Sequence, residues 1–237
     1  MTSQADSTLA IGESLAAARQ RLTQALAAAG RPAESARLLA VSKTKPSALM
    51  RDAWHHGQRD FGENYVQEAL DKQHQLADLE DIVWHFIGPL QSNKTRDVAE
   101  HFDWVHSVDR EKIARRLNDQ RPATLDKLNI CLQVNISNEV SKSGVSLEAL
   151  PELVERVLEM PNLCLRGLMA IPAPSSTLAE QREPFARLNH TLMSLQERFP
   201  EASLDTLSMG MTSDLEAAVL EGATLVRLGT AIFGERD

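Results

Sequence analysis

The sequence predicts an α/β fold: a single TIM-type (β/α)8 barrel with an extra N-terminal helix. Three observations predict it. Short runs rich in Val, Ile and Leu recur along the chain, each followed by a helical pattern. Most of these runs are continuous rather than alternating, as in parallel strands covered on both faces. No G-x-G-x-x-G follows the first run, which argues against an open dinucleotide-type sheet, and no Pro/Gly/Ser-rich linker divides the 237 residues. A chain of this mass buries roughly 72% of its unfolded surface, so a full core needs no metal or disulfide.

Residues 9–29 read as the first helix, with Leu15, Ala18, Leu22, Ala25 and Ala29 on one face and Gly30 and Pro32 as stop signals. The stretch 1–8 is expected to be a disordered extension, and 9–237 the barrel domain. The expected strands are Leu38–Ser42, Asp60–Glu63, Ile82–Ile87, Trp104–Val108, Ile130–Ile136, Leu163–Ile171, Thr206–Gly210 and Thr224–Gly229. The second and seventh carry weak strand signals of their own. Pro46 suits the start of the helix after the first strand and Gly57 its end. Asp109 precedes the helix carrying Ile113 and Leu117, and Ser146 suits the cap of the helix carrying Leu150, Val154 and Leu158. Thr177 with Glu180 forms a capping-box pattern before a helix ending near Phe199.

The net charge of −8 and the absence of a basic stripe argue against nucleic acid as a partner. The longest stretch free of Lys, Arg, Asp and Glu, Gly167–Ala179, is too short for a membrane helix. Asp6 and Glu13 interrupt any secretory signal. Cys131 and Cys164 sit in apolar runs with no CxxC, as expected for two buried thiols in a reducing cytoplasm. The histidines show no metal-ligand spacing, and no metal site is expected.

Barrels of this type carry their sites at the C-terminal ends of the strands. Strand one ends in Ser42-Lys43-Thr44-Lys45-Pro46. Lys43 there is either a partly desolvated amine with nucleophilic character or a lysine snorkelling to solvent. If strand geometry persists, Lys45 shares its side. His85, inside an apolar run, reads first as a hydrogen-bonded core histidine. The loops Ser208–Asp214 and Arg227–Gly234 follow the last two strands, where barrels often bind phosphate through amides, hydroxyls and a short helix. Ordinary turn chemistry is the alternative for either loop alone. A lysine facing a phosphate cup is the layout for pyridoxal 5′-phosphate (PLP), held as a lysine aldimine.

The motifs AVSKTKP (Ala40–Pro46), FGENYVQE (Phe61–Glu68), WHFIGPLQSNK (Trp84–Lys94), GLMAIP (Gly167–Pro172), LSMGM (Leu207–Met211) and VRLGTAIFG (Val226–Gly234) resemble the pyridoxal phosphate homeostasis proteins, the YggS/PROSC family. The resemblance runs from about residue 10 to the C-terminus. It implies a barrel similar to the N-terminal domain of alanine racemase, a cytoplasmic monomer, and a role in intracellular PLP (vitamin B6) and amino-acid homeostasis rather than an enzyme. It implies PLP on Lys43, Arg227 facing the pyridine nitrogen, and Asn64 on the ring side. Ser208, Gly210, Gly229 and Thr230 would surround the phosphate. No catalytic residue is assigned. Thr212 departs from the serine many members carry. A PLP-dependent amino-acid racemase and a barrel for another phosphorylated metabolite stay open as alternatives. So does the choice between storing PLP, or related B6 vitamers, and delivering it by transient contact with apo-enzymes.

Overall fold

The computed structural model describes residues 2–140 and 143–235. Met1 of the expected extension, and Arg236 and Asp237 at the end of the expected barrel domain, lie outside the described residues. The strands β1 (Arg37–Val41), β2 (Asp60–Glu63), β3 (Val83–Phe86), β4 (Trp104–Val108), β5 (Leu128–Gln133), β6 (Leu163–Met169), β7 (Thr206–Ser208) and β8 (Leu225–Leu228) form one closed barrel in sequence order. Every neighbouring pair is parallel, including β8 with β1. The helices are α1 (Thr2–Ala28), α2 (Ser47–His55), α3 (Val66–Gln75), α4 (Thr95–His101), α5 (Glu111–Gln120), α6 (Leu150–Leu158), α7 (Leu178–Arg198), α8 (Leu215–Leu220) and α9 (Thr230–Phe233).

All eight expected strands form, with ends shifted by up to three residues. The weak β2 signal forms because it lies in register between β1 and β3, pairing Phe61 with both Ala40 and Trp84. Local propensity is weak there, and the closed ladder overrides it. Thr177 caps α7 by accepting from the Glu180 N–H at 3.2 Å, as expected. Ser146 does not cap α6. Its hydroxyl accepts from the Ala149 N–H one turn earlier, and Ala149 is the N-cap.

The first helix differs from expectation. It begins at Thr2 rather than near residue 9, so the stretch expected to be unstructured continues α1. A contact supports this: Thr8 Oγ1 donates to Asp52 Oδ1 of α2 at 2.7 Å. Further along, α1 packs on α2, α8 and α9, burying Ile11, Leu15, Ala18, Leu22, Ala25 and Leu26. Cys131 is buried as expected, whereas Cys164 is only half-buried, because alternate β6 side chains face outward at the strand's start. Among the described residues, no helix is long and apolar enough to cross a membrane.

Side chains alternate along a strand, so one parity lines the barrel. A Cβ added to Gly62 would meet both Leu39 and Ile87, which places these three on the inner parity. On β1 and its extension that parity reads Arg37, Leu39, Val41, Lys43. On β2 it reads Asp60, Gly62, Asn64; on β3 Val83, His85, Ile87; on β8 Leu225, Arg227, Gly229. The barrel interior is therefore polar along much of its length.

Candidate functional site

Lys43 follows β1 by two residues, at the C-terminal rim. A recess of about 50 Å³ opens beside it, lined by Val41, Lys43, Thr44, Lys45, Gly229, Thr230 and Gly234. The ends of β1 and β8 meet here because residue 229 has no side chain: a Cβ would sit 3.2 Å from the Val41 carbonyl.

Both peptide groups flanking Lys43 are gripped. Lys72 Nζ, on α3, donates to the Ser42 carbonyl at 2.7 Å, to Glu63 Oε1 at 2.8 Å and to Glu68 at 2.6 Å. Glu68 Oε1 in turn accepts the Thr44 N–H at 2.6 Å. Ser42 Oγ donates to Glu63 Oε1 at 2.7 Å. Burial pushes the Glu63 carboxyl up, and Lys72 only partly offsets it. Thr44 adopts φ +63°, an uncommon left-handed conformation for threonine. That turn ends the extended geometry, so Lys45 does not continue the inward row. Its ammonium instead donates to the Glu235 carbonyl.

Asn64 follows β2, the neighbour of β1, by one residue. It lines a second cavity of about 300 Å³ with Ile87, Pro89, Gln133, Val134, Asn135, Ser143 and Ile171. Asn64 Oδ1 is buried with no hydrogen-bond partner among the described residues. A buried polar atom left unmet costs about 1–3 kcal/mol, which a ligand donor would recover.

The last two strands bring their loops side by side: the Arg227 N–H donates to the Gly210 carbonyl at 2.9 Å. Gly210 has φ +100°, and a Cβ there would lie 2.7 Å from Ala218 Cβ, so only glycine fits. Gly229 is the N-cap of α9, whose first residue is the exposed Thr230. Asp214 accepts the Met211 N–H at 2.7 Å, which removes that amide from any anion cup.

Ser208 departs from its expected place. Its hydroxyl is fully buried and turned into the barrel, 2.7 Å from both His106 Nδ1 and Arg227 Nη1. Arg227 is buried; Nη2 donates to the Ala170 carbonyl at 3.1 Å. Burial pulls its pKa down to about 10, so it remains a cation at neutral pH. His106 Nε2 lies 2.9 Å from His85 Nδ1, and His85 Nε2 lies 2.8 Å from Asp60 Oδ1. His85 is thus the hydrogen-bonded core histidine expected. Burial holds both imidazoles below their ordinary pKa, His106 well below. Burial also raises the Asp60 carboxyl, but His85 and Arg37 outweigh it and leave the group below its usual value.

The sequence expectation missed His106, Asp60, Lys72, Glu63 and Glu68. A usable signal existed for Asp60, which lies two residues before Gly62 on the inward parity of β2.

Residues 14–237 match the alanine racemase N-terminal domain family. A pyridoxal phosphate homeostasis protein of Pseudomonas aeruginosa is 60% identical over 227 residues, covering 96% of each chain. Solved structures of PipY from Synechococcus elongatus are also similar. The one without PLP is 42% identical with a TM-score of 0.86, and the one with PLP bound is 41% identical with a TM-score of 0.84. Each covers 94% of this chain and 100% of its own. With one barrel matched across nearly its whole length, the chain belongs to the pyridoxal phosphate homeostasis proteins of the alanine racemase N-terminal domain family.

Proposed function

We propose that this chain binds PLP reversibly at the C-terminal mouth of its barrel and serves intracellular PLP and amino-acid homeostasis rather than turnover. The observation that carries this reading is the inward row near the rim: Lys43, Asn64, Arg227 and Gly229 share one parity at the C-terminal ends of the neighbouring strands β8, β1 and β2, and Lys43 and Gly229 line one recess. PipY, similar along 94% of this chain, has been solved with PLP bound.

The residues fit the group. PLP supplies an aldehyde that an amine can capture and a ring that withdraws electrons. Lys43 supplies the amine. The clamp of Lys72, Glu63 and Glu68 fixes its backbone, so the amine is presented with little ordering cost. Asn64 Oδ1 offers an unmet acceptor. Arg227 offers N–H donors to a ring nitrogen, and its charge disfavours a proton there. Gly229, Thr230 and the Gly210 loop bound the phosphate side, through amides and the Thr230 hydroxyl. Ser208 serves the site through Arg227, since its own hydroxyl is spent inside the barrel. We assign the chain as one barrel domain acting as a cytoplasmic monomer.

The test is a visible spectrum of the purified protein mixed with PLP, followed by borohydride reduction and peptide mapping. A yellow species with the label on Lys43 is the expected result. Label on Lys45 overturns the assignment of the amine, and no chromophore at all overturns the reading.

A further inference from the structure

A continuous hydrogen-bonded row crosses the barrel interior from its N-terminal end to the mouth: Asp60, His85, His106, Ser208, Arg227. Its two termini have fixed roles. An ionised carboxylate only accepts, and a guanidinium only donates. Asp60 is ionised, held so by His85 and Arg37, the latter 3.6 Å away. His85 Nε2 must therefore carry a proton and donate to it. The buried, neutral His85 then has a bare Nδ1, which must accept from His106 Nε2. The neutral His106 likewise has a bare Nδ1, which must accept from the Ser208 hydroxyl. Ser208 has given its only proton inward, so its oxygen accepts from Arg227 Nη1. Each link lies between 2.7 and 2.9 Å, and no link has an alternative sense.

We propose that Asp60, at the N-terminal end of the barrel, is a positioning residue for Arg227. Acting through His85, His106 and Ser208, it sets the direction of the whole row and holds the guanidinium in one orientation at the ligand mouth. This rests on the proposed PLP site, with Arg227 toward the ring nitrogen. Two of the five guanidinium N–H groups are then committed, to Ser208 and the Ala170 carbonyl, and three remain for a ligand. The row also explains a polar barrel core. Three histidine and serine side chains, all fully buried, satisfy one another only if the sense of the row is single.

Without Asp60 the sense is no longer imposed. His85 and His106 are free to take the other tautomer, and the Ser208 proton is free to turn toward the mouth. The Arg227 orientation then loses one of its two supports.

Two measurements test this on the full chain. The first is ¹⁵N NMR of histidine-labelled protein without ligand. Both His85 and His106 are expected neutral with the proton on Nε2, and a proton on Nδ1 of either overturns the proposal. The second compares binding of PLP with that of 1-deaza-PLP, in which C–H replaces the ring nitrogen. In Asp60→Leu, PLP affinity should fall about tenfold while the 1-deaza analogue changes less than about twofold, the scale of one charge-assisted hydrogen bond. Ser208→Ala cuts the row at its last link with a smaller change in packing and should reproduce the same loss of selectivity. Equal changes for both ligands in these variants overturn the proposal while leaving the PLP site intact. A wild-type protein that takes up neither ligand overturns the PLP reading, and the NMR tautomers then still decide the direction of the row.

Discussion

The ammonium of Lys72 donates to the main-chain carbonyl of Ser42 at 2.7 Å, so one buried lysine holds the peptide that presents another lysine, Lys43. The same ammonium reaches Glu63 and Glu68, and Glu68 holds the Thr44 amide on the far side of Lys43. The arrangement separates two functions that one residue type can serve: a paired lysine that builds the loop, and a second lysine carried by it.

Removing Lys72 leaves the Glu63 carboxylate buried and unpaired. Breaking a buried pair on one side costs about 3–5 kcal/mol. Lys72→Met should lower stability by that order in urea unfolding and slow the appearance of the PLP chromophore. The double variant Lys72→Met/Glu63→Leu should recover much of the stability but not the rate. Recovery of both would show that the clamp has no role in presenting Lys43.

The two lysines of the SKTKP segment should separate cleanly. Thr44 at φ +63° turns the chain, and Lys45 is engaged with the Glu235 carbonyl. Lys43→Ala should abolish covalent capture, read as loss of the chromophore and of borohydride labelling. Lys45→Ala should retain both.

The phosphate side distinguishes Thr230 from Ser208. A hydrogen bond to a charged group is worth about 1.5–3 kcal/mol. Thr230→Val should therefore weaken PLP retention more than pyridoxal retention, by about tenfold or more. Ser208→Ala should weaken both alike, because its hydroxyl faces His106 and Arg227. Equilibrium dialysis with each ligand gives the four numbers needed.

The buried imidazoles predict the pH dependence of stability. His85 and His106 have folded pKa values below their ordinary ones, with burial as the main cause. Such groups contribute stability in full above the unfolded value, near 6.5, and lose it as pH falls toward the folded values. Each histidine gives a slope of up to about 1.4 kcal/mol per pH unit. Unfolding free energy should therefore fall as pH drops from roughly 7 to 5.5. The drop should shrink in His85→Gln/His106→Gln. Asp60, also held low, adds to the loss only further into acid.

The strand count and the rim motifs were legible because buried parallel strands are continuous apolar runs and because Lys43, Arg227 and Gly229 sit at their ends. The row through the barrel was harder to see. Asp60, His85 and His106 come from three different strands, and only the register of the closed sheet brings them together. Ser208 shows the same limit in reverse. A serine beside a glycine loop suggests a phosphate donor, yet strand parity turns it into the barrel, where Arg227 and His106 claim it. The Lys72 clamp escaped notice because a lysine on a surface-type helix, α3, is normally solvated. Here Glu63, inside the barrel wall, gives it a buried partner.

Catalysis of amino-acid chemistry is expected to be poor. Arg227 is a cation at neutral pH even with its pKa pulled to about 10, and it can only donate. A ring nitrogen placed against it stays unprotonated and draws electrons from a neighbouring carbanion less strongly than a pyridinium does. That alone does not exclude racemisation, which also needs an acid/base group on the face opposite the lysine. The chain has one tyrosine, Tyr65. It is the N-cap of α3 and 53% exposed, so much of its side chain lies in solvent rather than against the barrel interior. The 300 Å³ cavity beside Asn64 is open to solvent, which weakens the electrostatic preorganisation a carbanion intermediate requires. The check is exchange of the α-hydrogen of alanine, serine and several other amino acids in deuterated water with PLP-loaded protein. Exchange should run orders of magnitude below the ~10 s⁻¹ of a median enzyme. Exchange near that rate, lost in Lys43→Ala, would make the protein a racemase on this barrel and replace homeostasis with turnover as its function.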